Sequence, residues 1–411
     1  MKRPASKRWV ICGLLFFATT VNYVDRQVLG ILKTTIQHDL HWSEGDYGWI
    51  ASAFQFAYAL TMPLAGRVVD RLGTRLGYAL AVLVWSLAAM SHSVARTWSQ
   101  FIVARFGLGL GEAANFPAAI KTVAEWFPEK ERAFATGIFN SGSNVGTVVA
   151  ALMVPVVAYR LGWRGAFLFT ASLDLIWLVL WLAYYRTPSS ERSATEAGEP
   201  WAKLLANRGA WAYIAGKFMT DPVWWFFLFW IPAFLQTSYH LALTSLGLPL
   251  AAIYLAADGG SILGGWLSNG MISRGWDLNR ARKTAMLLCA CAATPIMLLF
   301  AVQGLWPTVA LIGLAAAAHQ GFSANLYTLV SDNFPRRTVA SVIGLGGLVG
   351  GISGILAAPA IGYWLDFSHG AYRPLFVFGG VAYLAALSVI QMLVPRIGQP
   401  AQLPQAVAPF A

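Results

Sequence analysis

Residues 126–137 have the sequence WFPEKERAFATG, and residues 333–344 have the related sequence NFPRRTVASVIG. At a constant offset of 207 residues, four positions are identical, namely Phe127, Pro128, Ala133 and Gly137 against Phe334, Pro335, Ala340 and Gly344. Two further pairs support the repeat: GWRGAFLF against AYRPLFVF, and GRVVD against GWLSN. Self-similarity over half of a chain indicates a duplicated unit, here one of six helices.

The composition around this repeat is that of an integral membrane protein. Of the 411 residues, 57% are hydrophobic and 11% are charged, which is too apolar for an ordinary soluble domain. Apolar runs of about 20 residues, the length of a helix that crosses a bilayer, recur along the chain. We predict twelve spans at residues 9–31, 47–66, 76–94, 98–121, 133–157, 163–185, 211–236, 245–268, 284–302, 307–330, 339–363 and 373–394.

The predicted spans divide into two groups of six. The longest polar stretch, residues 186–208, predicts a cytoplasmic linker between an N-terminal half at 1–185 and a C-terminal half at 209–411. Most of the 29 Lys and Arg residues lie in connections on the side of the termini, so we expect both termini to be cytoplasmic. Because topology accounts for the net charge of +11, we expect no nucleic-acid partner.

The loop GRVVDRLGTRLG, residues 66–77, resembles the signature of the major facilitator superfamily. NYVDRQVLG, ARFGLGLGEAANFPAAIKTVAEWFP and KFMTDPVWWFFLFWIP are similar to its anion:cation symporter family, and most of all to bacterial hexuronate transporters. The resemblance implies an all-α integral membrane protein of the major facilitator fold, with twelve transmembrane helices in two pseudo-symmetric six-helix halves. It also implies proton-coupled import across the bacterial inner membrane by alternating access, and we expect a functional monomer. Asn269 departs from the pattern, because the second-half loop often carries Asp there.

Four charged residues fall inside the predicted first and fourth spans: Asp25, Arg26, Arg105 and Glu112. An ionised side chain at the bilayer centre costs roughly 2.5 to 3.5 kcal/mol, so such residues normally face a cavity and a partner. Asp25 and Arg105 lie at matched depths, about 9 and 10 Å from the same side of the membrane. Arg105 and Glu112 are two helical turns apart and share one face. We therefore expect all four to converge.

These charges predict an anion site coupled to protons. The planar fork of Arg26 suits the carboxylate of a sugar acid, and Asp25 and Glu112 are the predicted proton carriers. Arg105 is expected to tune Asp25 or to contact the substrate. A substrate carboxylate on Arg26 would make protonation of Glu112 easier, so proton and anion would each favour binding of the other. The structural alternative is two bracing salt bridges, Asp25 with Arg105 and Arg26 with Glu112.

Recognition of substrate hydroxyl groups needs polar side chains at similar depth. The predicted substrate contacts, besides Arg26 and Arg105, are Tyr58, Asn140, Ser143, Asn144, Gln320, Asn325 and Tyr327. For Tyr58 a packing role is the alternative.

Gating is assigned to Asp70 and Arg71, as a cytoplasmic latch in the 66–77 loop; for Arg71, simple topology marking is the alternative. Lys217 and Asp221 are four residues apart, which favours a local ion pair. Asp258 and His319 are second-rank candidates for proton transfer, and a hydrogen-bonded structural role is the alternative for His319.

The sequence shows no metal-ligand cluster, no nucleophile with its base and no soluble output domain, which disfavours a membrane enzyme or a sensor. We expect no metal and no cofactor besides the coupling proton. The favoured function is import of glucuronate or galacturonate. The alternative is a transporter of another organic anion, such as an aldonate (galactonate, for example) or an aromatic acid, because hydroxyl contacts in the pocket separate these substrates.

Overall fold

A computed structural model describes residues 5–127, 129–186, 204–334 and 336–397, and all regular structure in these ranges is helical. The helices are α1 (Ala5–Leu40), α2 (Glu44–Leu72), α3 (Thr74–Ser91), α4 (Trp98–Glu112), α5 (Asn115–Trp126), α6 (Glu129–Tyr184), α7 (Arg208–Ser238), α8 (Gly247–Ser273), α9 (Leu278–Ala293), α10 (Leu305–Asn333), α11 (Arg336–Phe367) and α12 (Arg373–Leu393). Short 3-10 helices precede α8 and extend α9.

The described helices match the twelve predicted spans in order. Helices α4 and α5 together form the fourth span, and α6 supplies the fifth and sixth on either side of the non-helical Gly162. Eight described segments are long and apolar enough to cross a membrane by composition alone. Helices α1 and α4, which carry the charged residues, are not among those eight. The all-α membrane architecture is confirmed. Most of the predicted linker, residues 187–203, lies outside the described residues.

The fourth span is not the continuous helix that the sequence predicts. It is interrupted at Ala113 and Ala114, directly after Glu112. Pro117 follows at the third position of α5, where it has no N–H to continue the hydrogen-bond ladder. A Cβ atom added at Gly111 would lie 2.6 Å from the backbone nitrogen of Trp85, so the glycine allows α4 to approach α3 closely. The break and this close packing fix the position of Glu112.

Helix α6 packs along α1 on both sides of Gly162, with residues 129–161 as its first arm and residues 163–184 as its second arm. On the first arm, a Cβ atom at Gly142 would lie 2.6 Å from the carbonyl oxygen of Phe16, so the two backbones are close. On the second arm, the indole of Trp177 donates to the carbonyl oxygen of Leu14 at 2.6 Å. Near the start of that arm, Trp163 donates to Asp39 at 2.9 Å. These contacts hold the sixth span against the first.

The two halves meet where α2 begins and α11 ends, a region that we call the closed end. Asp366 of α11 accepts hydrogen bonds from the backbone nitrogens of Glu44 and Gly45 at 2.8 and 2.6 Å, a favourable position for a carboxylate at a helix N-terminus. The Glu44 carboxylate in turn accepts from Lys33 of α1 at 2.5 Å and from Trp230 of α7 at 3.0 Å. Helices of both halves are therefore joined here by charged hydrogen bonds.

Candidate functional site

The centre of the first half holds a buried ion pair between α1 and α4. Nε and Nη2 of Arg26 both donate to Oε2 of Glu112, at 3.1 and 2.8 Å. Arg26 is 6% exposed and Glu112 is fully buried. The predicted contact between these two residues is therefore confirmed, and the guanidinium points into the protein rather than toward lipid.

Each member of this pair keeps an unused group. Among the described residues, Oε1 of Glu112 is buried without a hydrogen-bond partner. The hydrogen bonds of Arg26 to Glu112 and Asn22 use Nε and Nη2, and the guanidinium also contacts the side chain of Tyr58, so Nη1 takes no part in the Glu112 and Asn22 bonds. The arrangement therefore has one oxygen that can hold a proton and one guanidinium edge that can hold an anion.

Aromatic rings surround the Arg26 guanidinium. Its central carbon lies 4.5 Å from the ring centre of Tyr23, 5.0 Å from that of Phe54 and 5.2 Å from that of Tyr58. Such contacts stabilise a desolvated cation. Tyr58 is half-buried, so the structure brings this predicted substrate contact to Arg26 and leaves part of it accessible.

The alternative salt bridge between Asp25 and Arg105 is not formed. Arg105 instead donates through Nη2 to the backbone carbonyl of Arg26 at 3.4 Å. Neighbouring residues on a helix point about 100° apart, so Arg26 faces α4 while Asp25 faces another helix. Matching depths along two spans could not reveal this difference in direction. Arg105 stays close enough to act on Asp25 by charge.

Asp174 on the second arm of α6 faces Asp25, and the sequence analysis missed it. It is fully buried, and the two carboxyl groups are in mutual side-chain contact. A signal existed, because an acidic residue near the middle of the predicted span 163–185 carries the same desolvation cost as Asp25.

In the fifth span, Asn140 and Asn144 are exposed, and their substrate contacts stay a prediction. The hydroxyl of Ser143 is used locally. It donates to the Asn140 carbonyl at 2.7 Å and lies 3.3 Å from the side-chain oxygen of Asn144. Ser143 is therefore a supporting residue in this arrangement, and the asparagines are the better candidates for a ligand.

The predicted residues of the tenth span are placed differently. Asn325 is fully buried, and its amide nitrogen donates to the carbonyls of Gly264 and Gly321, both at 2.9 Å. The amide nitrogen therefore packs α8 against α10, whereas the side-chain oxygen has no hydrogen-bond partner among the described residues, so the substrate contact of Asn325 stays a prediction. Gln320 is half-buried, whereas Tyr327 is exposed.

The C-terminal half has its own buried ion pair. Nζ of Lys217 lies 2.8 Å from Oδ1 of Asp221, which confirms the predicted local pair on α7. The ring of Tyr327 packs 5.3 Å from the same nitrogen. His319 has its ring nitrogen 2.9 Å from the Tyr383 hydroxyl and stacks on a tryptophan, so the structural alternative holds for its contacts. Asp258 is half-buried and belongs to no ion pair within the described ranges.

Gln55 is a second residue that the sequence analysis missed. It is 2% exposed, and neither atom of its amide has a hydrogen-bond partner among the described residues. It lies on α2, one helical turn before Tyr58, and contacts Gly354 of α11 across the two halves. Its spacing from Tyr58 was the available signal, since residues three apart share a helix face.

The cytoplasmic latch stays a prediction. Arg71 is exposed in the last turn of α2, and the side chain of Asp70 lies outside the described residues. In the second half, Arg282 donates to Asn269 at 3.2 Å and to Asp332 at 3.0 Å. A charged contact is therefore present beside Asn269 although this position carries no acid.

Comparisons with known proteins agree with this architecture. A family model described as Major Facilitator Superfamily matches residues 15–358. The hexuronate transporter of Escherichia coli (strain K12) is 30% identical over 96% of this chain and 94% of its own length. The galacturonate transporter of Dickeya chrysanthemi is 34% identical over 63% of this chain and 81% of its own. A crystal structure of a bacterial homolog of the human lysosomal transporter Spinster shares the fold, with a TM-score of 0.76, 18% identity and 96% coverage of both chains.

Proposed function

We propose that this chain, which belongs to the major facilitator superfamily, imports a hexuronate such as glucuronate or galacturonate together with protons across the bacterial inner membrane. It is a multi-pass membrane transporter and not an enzyme. The observation that supports the proposal most is the Arg26–Glu112 pair, in which a caged guanidinium holds one carboxylate oxygen and leaves the other without a partner.

Arg26 supplies the anion site. A carboxylate can take two parallel N–H bonds from a guanidinium, which gives both affinity and a fixed orientation. Nη1 is the edge on which a substrate carboxylate first binds, since the described bonds to Glu112 and Asn22 leave it unused. Tyr58, Asn140 and Asn144 are the accessible polar groups that would receive sugar hydroxyls.

Glu112 supplies the proton site. When the substrate carboxylate draws the guanidinium away, Glu112 becomes a buried carboxylate without its countercharge, which costs several kcal/mol. Binding a proton at Oε1 removes that cost. Proton binding in turn frees Arg26 for the substrate, and the free-energy coupling must act equally in both directions.

The closed end supplies one of the two gates. We assign it to the periplasmic side, because the charge pattern places both termini in the cytoplasm. For the carrier to accept substrate from outside, the hydrogen bonds from Glu44 and Gly45 to Asp366 must break. Binding of the anion and the proton together neutralises the charge of the site. The substrate can then pass between the two gates.

Uptake of labelled glucuronate into vesicles that contain the purified protein tests this proposal. We expect accumulation above the outside concentration when the outside is acidic, and loss of accumulation when a protonophore dissipates the gradient. Uptake that ignores the gradient would contradict proton coupling. Unlabelled galacturonate should compete with the label, and stronger competition by galactonate or an aromatic acid would contradict the assigned substrate class.

A further inference from the structure

The Asp25–Asp174 contact is the most unusual feature that the mechanism above leaves unused. Asp25 is 3% exposed and Asp174 is fully buried, and the two carboxyl groups are in mutual contact. Within the described ranges, no cation forms a salt bridge with either carboxyl group, and the donors beside them, Thr170 and Trp85, are neutral. Trp163 and Trp177, which lie before and after Asp174 on the second arm of α6, both hydrogen-bond to α1. These contacts hold the helix on both sides of Asp174.

Two neutral donor groups face the same place. The indole nitrogen of Trp85 on α3 is buried beside Asp174. Thr170, one turn before Asp174, lies beside Asp25. Among the described residues, the charged groups that act on the pair are Arg105 and Glu112, both from α4, and His92, directly after α3, lies near Arg105. Arg105 is thus the cation that acts on the two acids, and it makes no direct bond to either of them.

Two ionised carboxylates in contact away from water repel each other strongly, and neither can donate a hydrogen bond. One proton between them removes the repulsion and supplies a donor. The protonated carboxyl group then donates to the ionised one, and a single negative charge stays on the pair. Carboxyl pairs of this kind titrate as a unit rather than as two separate residues. Arg105 balances the single charge that is left.

We propose that Asp174 and Asp25 together form a second proton-binding site, in which the two carboxyl groups share one proton. The site rests on the proposed function for its role, since it adds a second proton position to the symport mechanism. A substrate that attracts Arg105 would weaken the cation's influence on the pair, and the pair would then take up a further proton from water. Asp174 is thus a proton-binding partner of Asp25, since either carboxyl group can carry the shared proton.

Infrared spectroscopy of the purified protein at neutral pH, without substrate, tests the shared proton directly. We expect the signal of protonated carboxyl groups to lose about one group's intensity in Asp174→Asn, because Asp25 then ionises beside Arg105 and an amide donor. Asp174→Glu should keep the signal. Ser172→Ala, a change on the same arm whose hydroxyl bonds only to its own helix, is the matched control. An unchanged signal in Asp174→Asn would overturn the proposal.

The pH profile of uptake gives a second readout that a structural role alone would not move. In Asp174→Asn we expect the profile to shift by about one pH unit or more toward acid, because a lone Asp25 favours its ionised form. Asp174→Glu should return the profile toward that of the unmodified protein. A profile that coincides with that of Ser172→Ala would overturn the role in transport. Failure of glucuronate uptake in the unmodified protein would instead contradict the proposed function and leave the infrared result standing.

Discussion

Two buried ion pairs among the described residues, Arg26–Glu112 and Lys217–Asp221, differ in what they connect. Arg26 and Glu112 come from different helices, 86 residues apart, and share one carboxylate oxygen. Lys217 and Asp221 are one turn apart on α7, and their pair is complete within that helix. A pair within one helix keeps its geometry when helices move, whereas a pair between helices changes with their positions. We therefore expect the pair between α1 and α4 to serve coupling and the pair within α7 to serve stability.

The largest effect is expected for Glu112→Gln. The amide cannot bind and release a proton, so accumulation driven by a pH gradient should be abolished while downhill exchange of substrate continues. Vesicle uptake with and without a gradient measures both activities. Glu125→Gln, an acid outside the site that accepts from Thr74 and Tyr185, should accumulate substrate normally. Gradient-driven accumulation in Glu112→Gln would refute its role as proton carrier.

The next effect is expected for Arg26→Lys. A lysine keeps the charge but loses the planar fork. The loss of a charged hydrogen bond costs roughly 1.5 to 3 kcal/mol, so the affinity for glucuronate should fall by about 10- to 100-fold. Lys217→Arg is the matched control in the second half, and binding titrations should show a change of less than about threefold. Equal losses in both variants would remove the distinction between the two pairs.

The Lys217–Asp221 pair should affect stability instead of coupling. Lys217→Met leaves Asp221 buried without its partner, which costs about 3 to 5 kcal/mol, whereas a double replacement by apolar residues is often nearly neutral. Thermal unfolding in detergent should therefore show a lowered Tm for Lys217→Met and a recovered one for Lys217→Met with Asp221→Leu. Both variants should retain gradient-dependent uptake, and a double variant that folds normally but has lost coupling would contradict the comparison.

The smallest effect is expected for Tyr58→Phe. This change removes one hydroxyl and keeps the ring beside Arg26, so the affinity should fall about fivefold, which corresponds to roughly 1 kcal/mol. Tyr327→Phe makes the same change in the second half. A fall of equal size there would show that the second half also supplies hydroxyl contacts, as the sequence predicts, and would weaken the division of duties drawn here.

The length of the hydrophobic runs made the spans predictable, and the cost of burying charge in a membrane made the Arg26–Glu112 contact predictable. Both arguments use only residue type and distance along the chain, which a sequence states directly. The sequence does not state the direction in which a side chain leaves its helix. Depth along the span therefore paired Asp25 with Arg105, whereas in the structure Asp25 faces Asp174. The sequence also does not state that the amide nitrogen of Asn325 binds two backbone carbonyls, because an amide can satisfy the backbone as well as a ligand. The break after Glu112 did have a signal in the sequence, because Pro117 has no N–H with which to continue the helix.

The central claim is that the guanidinium of Arg26 exchanges Glu112 for the carboxylate of the substrate. A structure with bound glucuronate measures this exchange as the distance between Nη2 of Arg26 and Oε2 of Glu112, which is 2.8 Å here. The account predicts that this distance lengthens beyond hydrogen-bonding range while the glucuronate carboxylate occupies the guanidinium. An unchanged contact of 2.8 Å, with the substrate carboxylate bound elsewhere, would contradict it.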